Sequence, residues 1–275
     1  MNLKELPKYI EGLMPIAKIP LTWDSMGYTS ASFNKWVSEQ SFTGWEGDLP
    51  TEEEAAVIVK LLEVKPEDSL LDIACGYGRH DLLFAGRYGL KVMGIDISPG
   101  LIETAKRFAK EQGLKIAYEV KHGRELKWQE EFDYAIIVFN SFSLFSPEDA
   151  PVVLQGIHKA LKRSGRLFMD LDNKPFNCRY GTSYQDWYTW PGGLTLQEVY
   201  FHQDISVEVC RDLGLNTESN QVEKFISFKR IYSKNEICEL LSECGFRIDK
   251  IYGGWDLSPL EQDSPKMVLV GLKSA

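Results

Sequence analysis

Apolar and polar positions follow two alternating periods between residues 51 and 171. Thr51 is followed by an acidic run, Glu52 to Glu54, and then by Ala55, Val57, Ile58, Leu61 and Leu62 at helical spacing, so a helix is expected up to Pro66. Short apolar runs at residues 69–73, 91–95, 114–119, 134–139 and 165–171 predict strands. Helical patterns at 81–88, 99–112 and 147–161 separate several of them. Strands this apolar must be covered on both faces, which predicts a mostly parallel sheet of the Rossmann-like α/β class. Ligands of such a sheet gather outside the carboxyl ends of the strands.

The rhythm breaks after residue 172. Residues 187–190, 194–202, 205–210 and 222–231 read as antiparallel strands joined by turns, one of them Pro191-Gly192-Gly193, and predict a small inserted sheet. Ser233-Lys234-Asn235-Glu236 is a capping-box sequence that opens a helix reaching Cys244 and stopping at Gly245. Residues 246–252 and 267–272 complete the core as a C-terminal antiparallel hairpin. The organisation expected is therefore a seven-stranded, mostly parallel sheet in four segments. Residues 1–50 form a helical lid or pocket segment with a short helix at 32–40. Residues 51–172 are a ligand-binding core, 173–231 an antiparallel cover, and 232–275 the final helix and hairpin.

Candidate chemistry collects at the first strand end. Leu70-Leu71-Asp72-Ile73-Ala74-Cys75-Gly76-Tyr77-Gly78 runs from strand into a glycine turn that opens a helix, and the next strand ends at Asp96. Glycines admit close backbone approach, helix amides face the ligand, and the acid accepts ribose hydroxyls; together they make a cradle for a nucleotide-like molecule. A dinucleotide fingerprint would carry a third glycine where Asp81 stands, which weakens the nicotinamide-dependent oxidoreductase reading.

Composition narrows the classes. The 275 residues are 44% apolar and carry a net charge of −9. That suits a buried core and disfavours a nucleic-acid binder, which needs a concentrated basic surface. No signal-peptide core or membrane-length apolar run is seen, so a cytoplasmic protein away from membranes is expected. Cys75, Cys178, Cys210, Cys238 and Cys244 show no zinc-site spacing; reduced thiols and no bound metal are expected.

Taken in order, Leu71 to His80, Gly94-Ile95-Asp96-Ile97-Ser98, Phe132 to Ser141 and Leu161 to Leu167 resemble the class I S-adenosylmethionine-dependent methyltransferase family. The chain also looks like the bacterial small-molecule branch that carries an antiparallel insertion before the terminal helix. The resemblance implies that backbone at Ala74, Gly76 and Gly78 holds the methionine part of S-adenosylmethionine, that Asp72 orients it, and that Asp96 takes the ribose. It further implies that Ile97 flanks the adenine, that backbone at Gly123 and Arg124 lies along it, and that Phe139 and Asn140 face the methionine end. The family often has an acid before the Arg-Glu-Leu run; here His122 takes that position, as an adenine-edge or surface residue.

The activity so implied is direct in-line methyl transfer to a small-molecule acceptor, leaving S-adenosylhomocysteine. No general base is identified. Trp23, Tyr28, Trp36, Tyr180, Trp187, Tyr188 and Trp190 supply aromatic rings that either surround the acceptor or weld the lid and insertion onto the core, with Phe142 and Phe145 as pocket walls or core. His202, Arg230, Tyr232 and Asp256 are weaker polar candidates for the acceptor pocket. A non-catalytic S-adenosylmethionine-binding sensor or interaction protein is the alternative, and either a monomer or a homodimer suits the sequence.

Overall fold

The computed structural model describes residues 3–23, 50–190, 192–217 and 219–274. A short helix α1 (Leu6–Glu11) lies near the N-terminus, and Tyr28, Trp36 and the helix expected at 32–40 lie outside the described residues. The core follows as α2 (Thr51–Leu62), β1 (Ser69–Ile73), α3 (Arg79–Gly86), β2 (Lys91–Asp96), α4 (Pro99–Glu111), β3 (Ala117–Val120), β4 (Phe132–Ile137), α5 (Asp149–Ala160) and β5 (Leu161–Asp172). A single turn of helix, α6 (Lys174–Asn177), leads into β6 (Ser183–Trp190), β7 (Gly193–His202), β8 (Val207–Asn216) and β9 (Gln221–Arg230). The chain closes with α7 (Lys234–Glu243), β10 (Phe246–Tyr252) and β11 (Lys266–Lys273).

Seven strands form one sheet in the order β10-β11-β5-β4-β1-β2-β3, parallel from β5 to β3, with β11 antiparallel to both β5 and β10. The other four make a separate antiparallel meander, β6-β7-β8-β9. The expected architecture is therefore present, with shifted boundaries. β5 begins at Leu161, directly where α5 ends, instead of at 165; Ser164 in left-handed conformation and Gly165 bend it there, and the pairing with β4 slips between Phe132 and Tyr134. The inserted strands are longer than their apolar runs, since β8 continues through Asp212, Gly214 and Asn216 under hydrogen bonds from both neighbours.

Strand alternation sends Leu71, Ile73, Ala135, Ile137, Leu167 and Met169 to one face, against Val153, Leu154 and Ile157 of α5 and Ile237 and Leu241 of α7. The opposite face sets Leu70, Val92, Ile136, Phe168 and Val268 against Ala55, Ile58, Leu61 and Leu62 of α2 and Phe84 of α3. Each fully buried Leu or Ile contributes roughly 2 kcal/mol. α7 buries only Ile237 and Leu241 completely, so its N-terminal cap matters more than for α2 or α5. Ser233 Oγ accepts from Glu236 N, and the Glu236 carboxylate accepts from Ser233 N at 2.8 Å, closing the box anticipated from sequence.

Two anchors join the meander to the core. Lys174 N donates to Tyr232 O at 3.1 Å, and Asn173 forms an isolated parallel bridge with Tyr232, so both ends of the insertion meet at the C-terminal end of β5. Arg230 pairs with Glu236 at 2.7 Å, tying the end of β9 to the α7 cap.

Ser233→Ala is expected to lower the unfolding free energy by about 1 kcal/mol through loss of the cap, read as a lower urea midpoint with an unchanged slope. An unmoved midpoint contradicts this account of α7.

Candidate functional site

β1 carries Asp72 inward and then enters a turn with three left-handed positions: Ala74 (φ 59°), Gly76 (58°) and Gly78 (75°). For Ala74 that conformation costs on the order of 1 kcal/mol, strain of the kind concentrated at functional loops. Gly78 is the N-terminal flanking residue of α3, which points the helix's free amides at the turn. Cys75 N donates to Ile95 O at 2.9 Å, extending the β1–β2 ladder past the strand end.

The acid at the end of β2 closes onto this turn. Asp96 accepts from Gly76 N at 3.0 Å through one oxygen and from Ser98 N at 2.8 Å through the other. Burial pushes the carboxyl up to about 6 despite the amides of Ser98, Gly76 and Ile97 that favour its charge. A carboxylate has about four lone-pair sites, so Asp96 retains acceptor capacity beyond these three amides, as neighbouring ribose hydroxyls require. A Cβ placed on Gly76 would meet no heavy atom within 4 Å, so the turn opens onto free space. Below it, Asp72 Oδ1 is buried without a hydrogen-bond partner. An open glycine turn, an engaged acid with spare lone pairs and helix amides in one place fit an adenosyl cofactor.

Along the adenine side expected from sequence, Ile97 is exposed beside Asp96. His122 Nδ1 accepts from Arg124 N at 3.1 Å and so opens the 3-10 turn Gly123–Glu125; its ring meets Phe145 edge-on. Gly123 is required by contact, because a Cβ there would lie 2.9 Å from the Phe145 ring. Arg124 points to Asp149 on α5, at 3.2 Å.

At the ends of β4 and β5, Phe139 and Asn140 both take positive φ, 62° and 54°. Asp170 holds that turn, accepting from Phe139 N at 2.5 Å and Asn140 N at 3.2 Å. Burial raises its carboxyl to about 7. Asn140 donates to Asp172 at 2.6 Å, accepts from Ser143 Oγ at 2.6 Å and from Asp172 N at 3.1 Å, while Asp172 pairs with Lys266 at 2.8 Å. Phe139 is 54% exposed with the Arg79 guanidinium 5.7 Å from its ring centre. Arg79 in turn pairs with Glu54 of α2 at 2.6 Å, and His80 contacts the same carboxylate at 2.9 Å. Burial opposes the Glu54 charge, but these two partners hold it below its ordinary value.

The remaining sequence candidates separate. Trp23 packs on Phe228 with ring centres 5.7 Å apart, in a cluster with Ile16, Ile19, Leu21, Val207 and Val209 on the outer face of the meander. Trp187 is 65% exposed and Tyr188 partly so, and adjacent positions on β6 send them to opposite faces. The side chains of Tyr180 and Trp190 lie outside the described residues. Arg230 is engaged by Glu236 and by the carbonyls of Ser206 and Ile231. Tyr232 is buried between Phe142 and the Arg230 guanidinium, and burial raises its hydroxyl pKa. Phe142 and Phe145 are core residues. His202 stacks edge-on with Tyr200, its Nε2 buried without a partner, and Asp256 is turned onto Ser258 at the surface.

Sequence reasoning missed Tyr184, Glu208, Asp170 and Asp172. Register puts Tyr184 with Val199, Cys210 and Glu208 on the inner face of the meander, the one opposite the Trp23 cluster; the Tyr184 ring is partly exposed, and the burial of the rest raises its hydroxyl. Glu208 is buried with Lys229 at 3.2 Å and Cys210 Sγ at 3.3 Å. A signal was present: two aspartates alternating in an otherwise apolar strand end, Phe168-Met169-Asp170-Leu171-Asp172.

Among the described residues, no helix is long and apolar enough to cross a membrane, and no cluster of three His, Cys, Asp or Glu side chains is placed to hold a metal.

Residues 70–165 match a family model described as a methyltransferase domain. The chain is 28% identical over 176 residues to the 2-phytyl-1,4-naphtoquinone methyltransferase of Nostoc sp., covering 62% of this chain and 71% of that protein. In structure it is similar to an S-adenosylmethionine-dependent methyltransferase from Clostridium acetobutylicum, with a TM-score of 0.74, 15% identity and coverage of 83% and 94% of the two chains. The CcbJ methyltransferase from Streptomyces caelestis gives 0.72, 14%, 84% and 94%. The chain thus has the class I S-adenosylmethionine-dependent methyltransferase fold, whose cofactor is S-adenosylmethionine, and its residues 70–165 are similar to a methyltransferase domain.

Proposed function

We propose that this protein transfers a methyl group from S-adenosylmethionine to a small-molecule acceptor by direct in-line displacement, without a covalent enzyme intermediate. The observation that carries the reading is the bond from Gly76 N to Asp96, which brings the glycine turn and the β2 acid to one point. Bound there, S-adenosylmethionine would supply an electrophilic methyl on a sulfonium.

This chain's residues divide the remaining work. The turn at Ala74, Gly76 and Gly78 would hold the methionine part, Asp96 the ribose, Ile97 one face of the adenine, and backbone at Gly123 and Arg124 its edge. Phe139 and Asn140, fixed by Asp170 and Asp172, would border the reacting end. The inner face of the meander, with Tyr184 and Tyr188, would cover the acceptor and keep water out. That role suits an insertion anchored at both ends beside β5, because alignment and exclusion of water account for much of the rate in such transfers. Tyr28, Trp36, Tyr180 and Trp190 complete the proposed aromatic supply, while Trp23, Trp187, Arg230 and Tyr232 act more remotely, through packing and the insertion's anchor. Segments 1–50 and 173–231 are accordingly assigned to the acceptor, and 51–172 with 232–275 to the donor.

Two outcomes test this. Incubation with S-adenosylmethionine and a panel of amines, phenols and small carboxylates is expected to yield methylated product and S-adenosylhomocysteine, detected by mass; donor binding without product from the whole panel favours the sensor reading. Asp96→Asn is expected to weaken S-adenosylhomocysteine binding by about 1–3 kcal/mol, roughly 5- to 150-fold, by calorimetry. Wild-type affinity should fall as pH drops below about 6, where Asp96 takes up its proton. An unchanged dissociation constant in the variant contradicts the ribose assignment.

A further inference from the structure

The floor beneath the glycine turn contains a polar arrangement that donor binding by backbone does not explain. Sheet register sets Asp72 of β1 opposite Gly94 of β2, and Gly94 opposite Tyr118 of β3. Three neighbours in a row point to the same face, and the middle one has no side chain. Asp81, one turn into α3, fills the gap: a Cβ on Gly94 would lie 2.8 Å from Asp81 Oδ2 and 2.7 Å from the Tyr118 ring. Gly78 makes room from above, since its Cβ would lie 2.3 Å from the Tyr118 hydroxyl. Two glycines therefore hollow out a chamber that holds Asp72, Asp81 and Tyr118, each at least nine-tenths buried.

Within it, Asp72 Oδ1, both Asp81 oxygens and the Tyr118 hydroxyl have no well-directed partner. Yet the register and the space over Gly94 and Gly78 set Asp72, Asp81 and Tyr118 against one another, close enough for the two carboxylates to feel each other's charge. Two ionised carboxylates have no hydrogen to place between them, and side by side and shielded from solvent they repel strongly. One proton between them resolves both difficulties, satisfying an orphaned oxygen and leaving a single negative charge.

We propose that Asp81 is a positioning residue that shares one proton with Asp72 across the gap left by Gly94, and that donor binding on the turn above is linked to that proton. The inference rests on the donor reading given above. A cationic methionine ammonium close to Asp72 would favour the fully ionised pair, so binding should expel the shared proton to solvent.

The charges facing the pair are Arg79 on α3 and Asp96 at the end of β2, with the Cys75 thiol in the turn; the thiol is itself pushed up by burial. Burial raises Asp81 to about 7 and Asp72 well above the ordinary range. A group raised on folding contributes stability that is complete below its unfolded value, near 4, and lost as pH rises through its folded value. Asp96 and Asp170 have the same sign, so the test is a comparison of variants.

Thermal melting of the ligand-free protein from pH 5.5 to 8.5 is compared for wild type, Asp81→Asn and Tyr118→Phe. The wild type is expected to lose Tm as pH rises through about 7, and Asp81→Asn to lose distinctly less. Tyr118→Phe, which removes the hydroxyl that favours the Asp81 charge, should move the loss to higher pH, and it decides the matter if Asp81→Asn does not fold. Parallel curves for wild type and Asp81→Asn, or an unmoved Tyr118→Phe curve, overturn the shared proton. Calorimetry with S-adenosylhomocysteine at pH 7 in buffers of different ionisation enthalpy should show proton release in wild type and its loss in Asp81→Asn. Binding without release in wild type overturns the linkage. Failure of wild type to bind at all counts instead against the donor reading, and the melting curves still decide the shared proton.

Discussion

A single backbone donor, the Gly76 amide, joins two parts of the chain that the sheet would otherwise merely place side by side. Its bond to Asp96 requires β1 and β2 to be adjacent and parallel, the turn after Ile73 to pass through left-handed conformations, and β2 to end in an acid. Each condition has a visible cause: apolar alternation buries both strands, glycine relieves the turn at positions 76 and 78, and Ser98 N holds the second carboxylate oxygen. Without that convergence, glycine turn and acid would be ordinary ends of an α/β sheet.

The core could be read from sequence because its signals are local. Leu70 to Gly78 and Gly94 to Ser98 each contain a strand, its end and its turn within about ten residues, and Ser233 to Glu236 contains a complete cap. What escaped depends on register or on distant partners. Asp81 could be read only as a missing third glycine; its placement beside Asp72 and Tyr118 follows from the packing of α3 over three paired strands, which no local pattern shows. Asp170 and Asp172 acquire meaning only once Phe139 and Asn140 are bent over them. Tyr232 was a polar candidate for the acceptor pocket, yet its ring is buried against Phe142.

The two sheets depend on different physics. The parallel core is held by apolar faces against helices, with polar groups admitted where strands end. The meander buries charge: Glu208 lies with Lys229, and Arg211 is enclosed with Glu198 and the Met14 carbonyl. Buried ion pairs stabilise no more than apolar packing of equal volume, but removing one partner is strongly destabilising because it leaves the other charge uncompensated. Under the proposed function the donor lies on the first sheet and the acceptor beneath the second.

A crystal structure grown with S-adenosylhomocysteine tests the central claim most directly. The account predicts both ribose hydroxyls within hydrogen-bonding distance of Asp96 and the methionine portion lying over Ala74, Gly76 and Gly78. Density for the ligand in any other cavity, or a ribose turned away from Asp96, would contradict it.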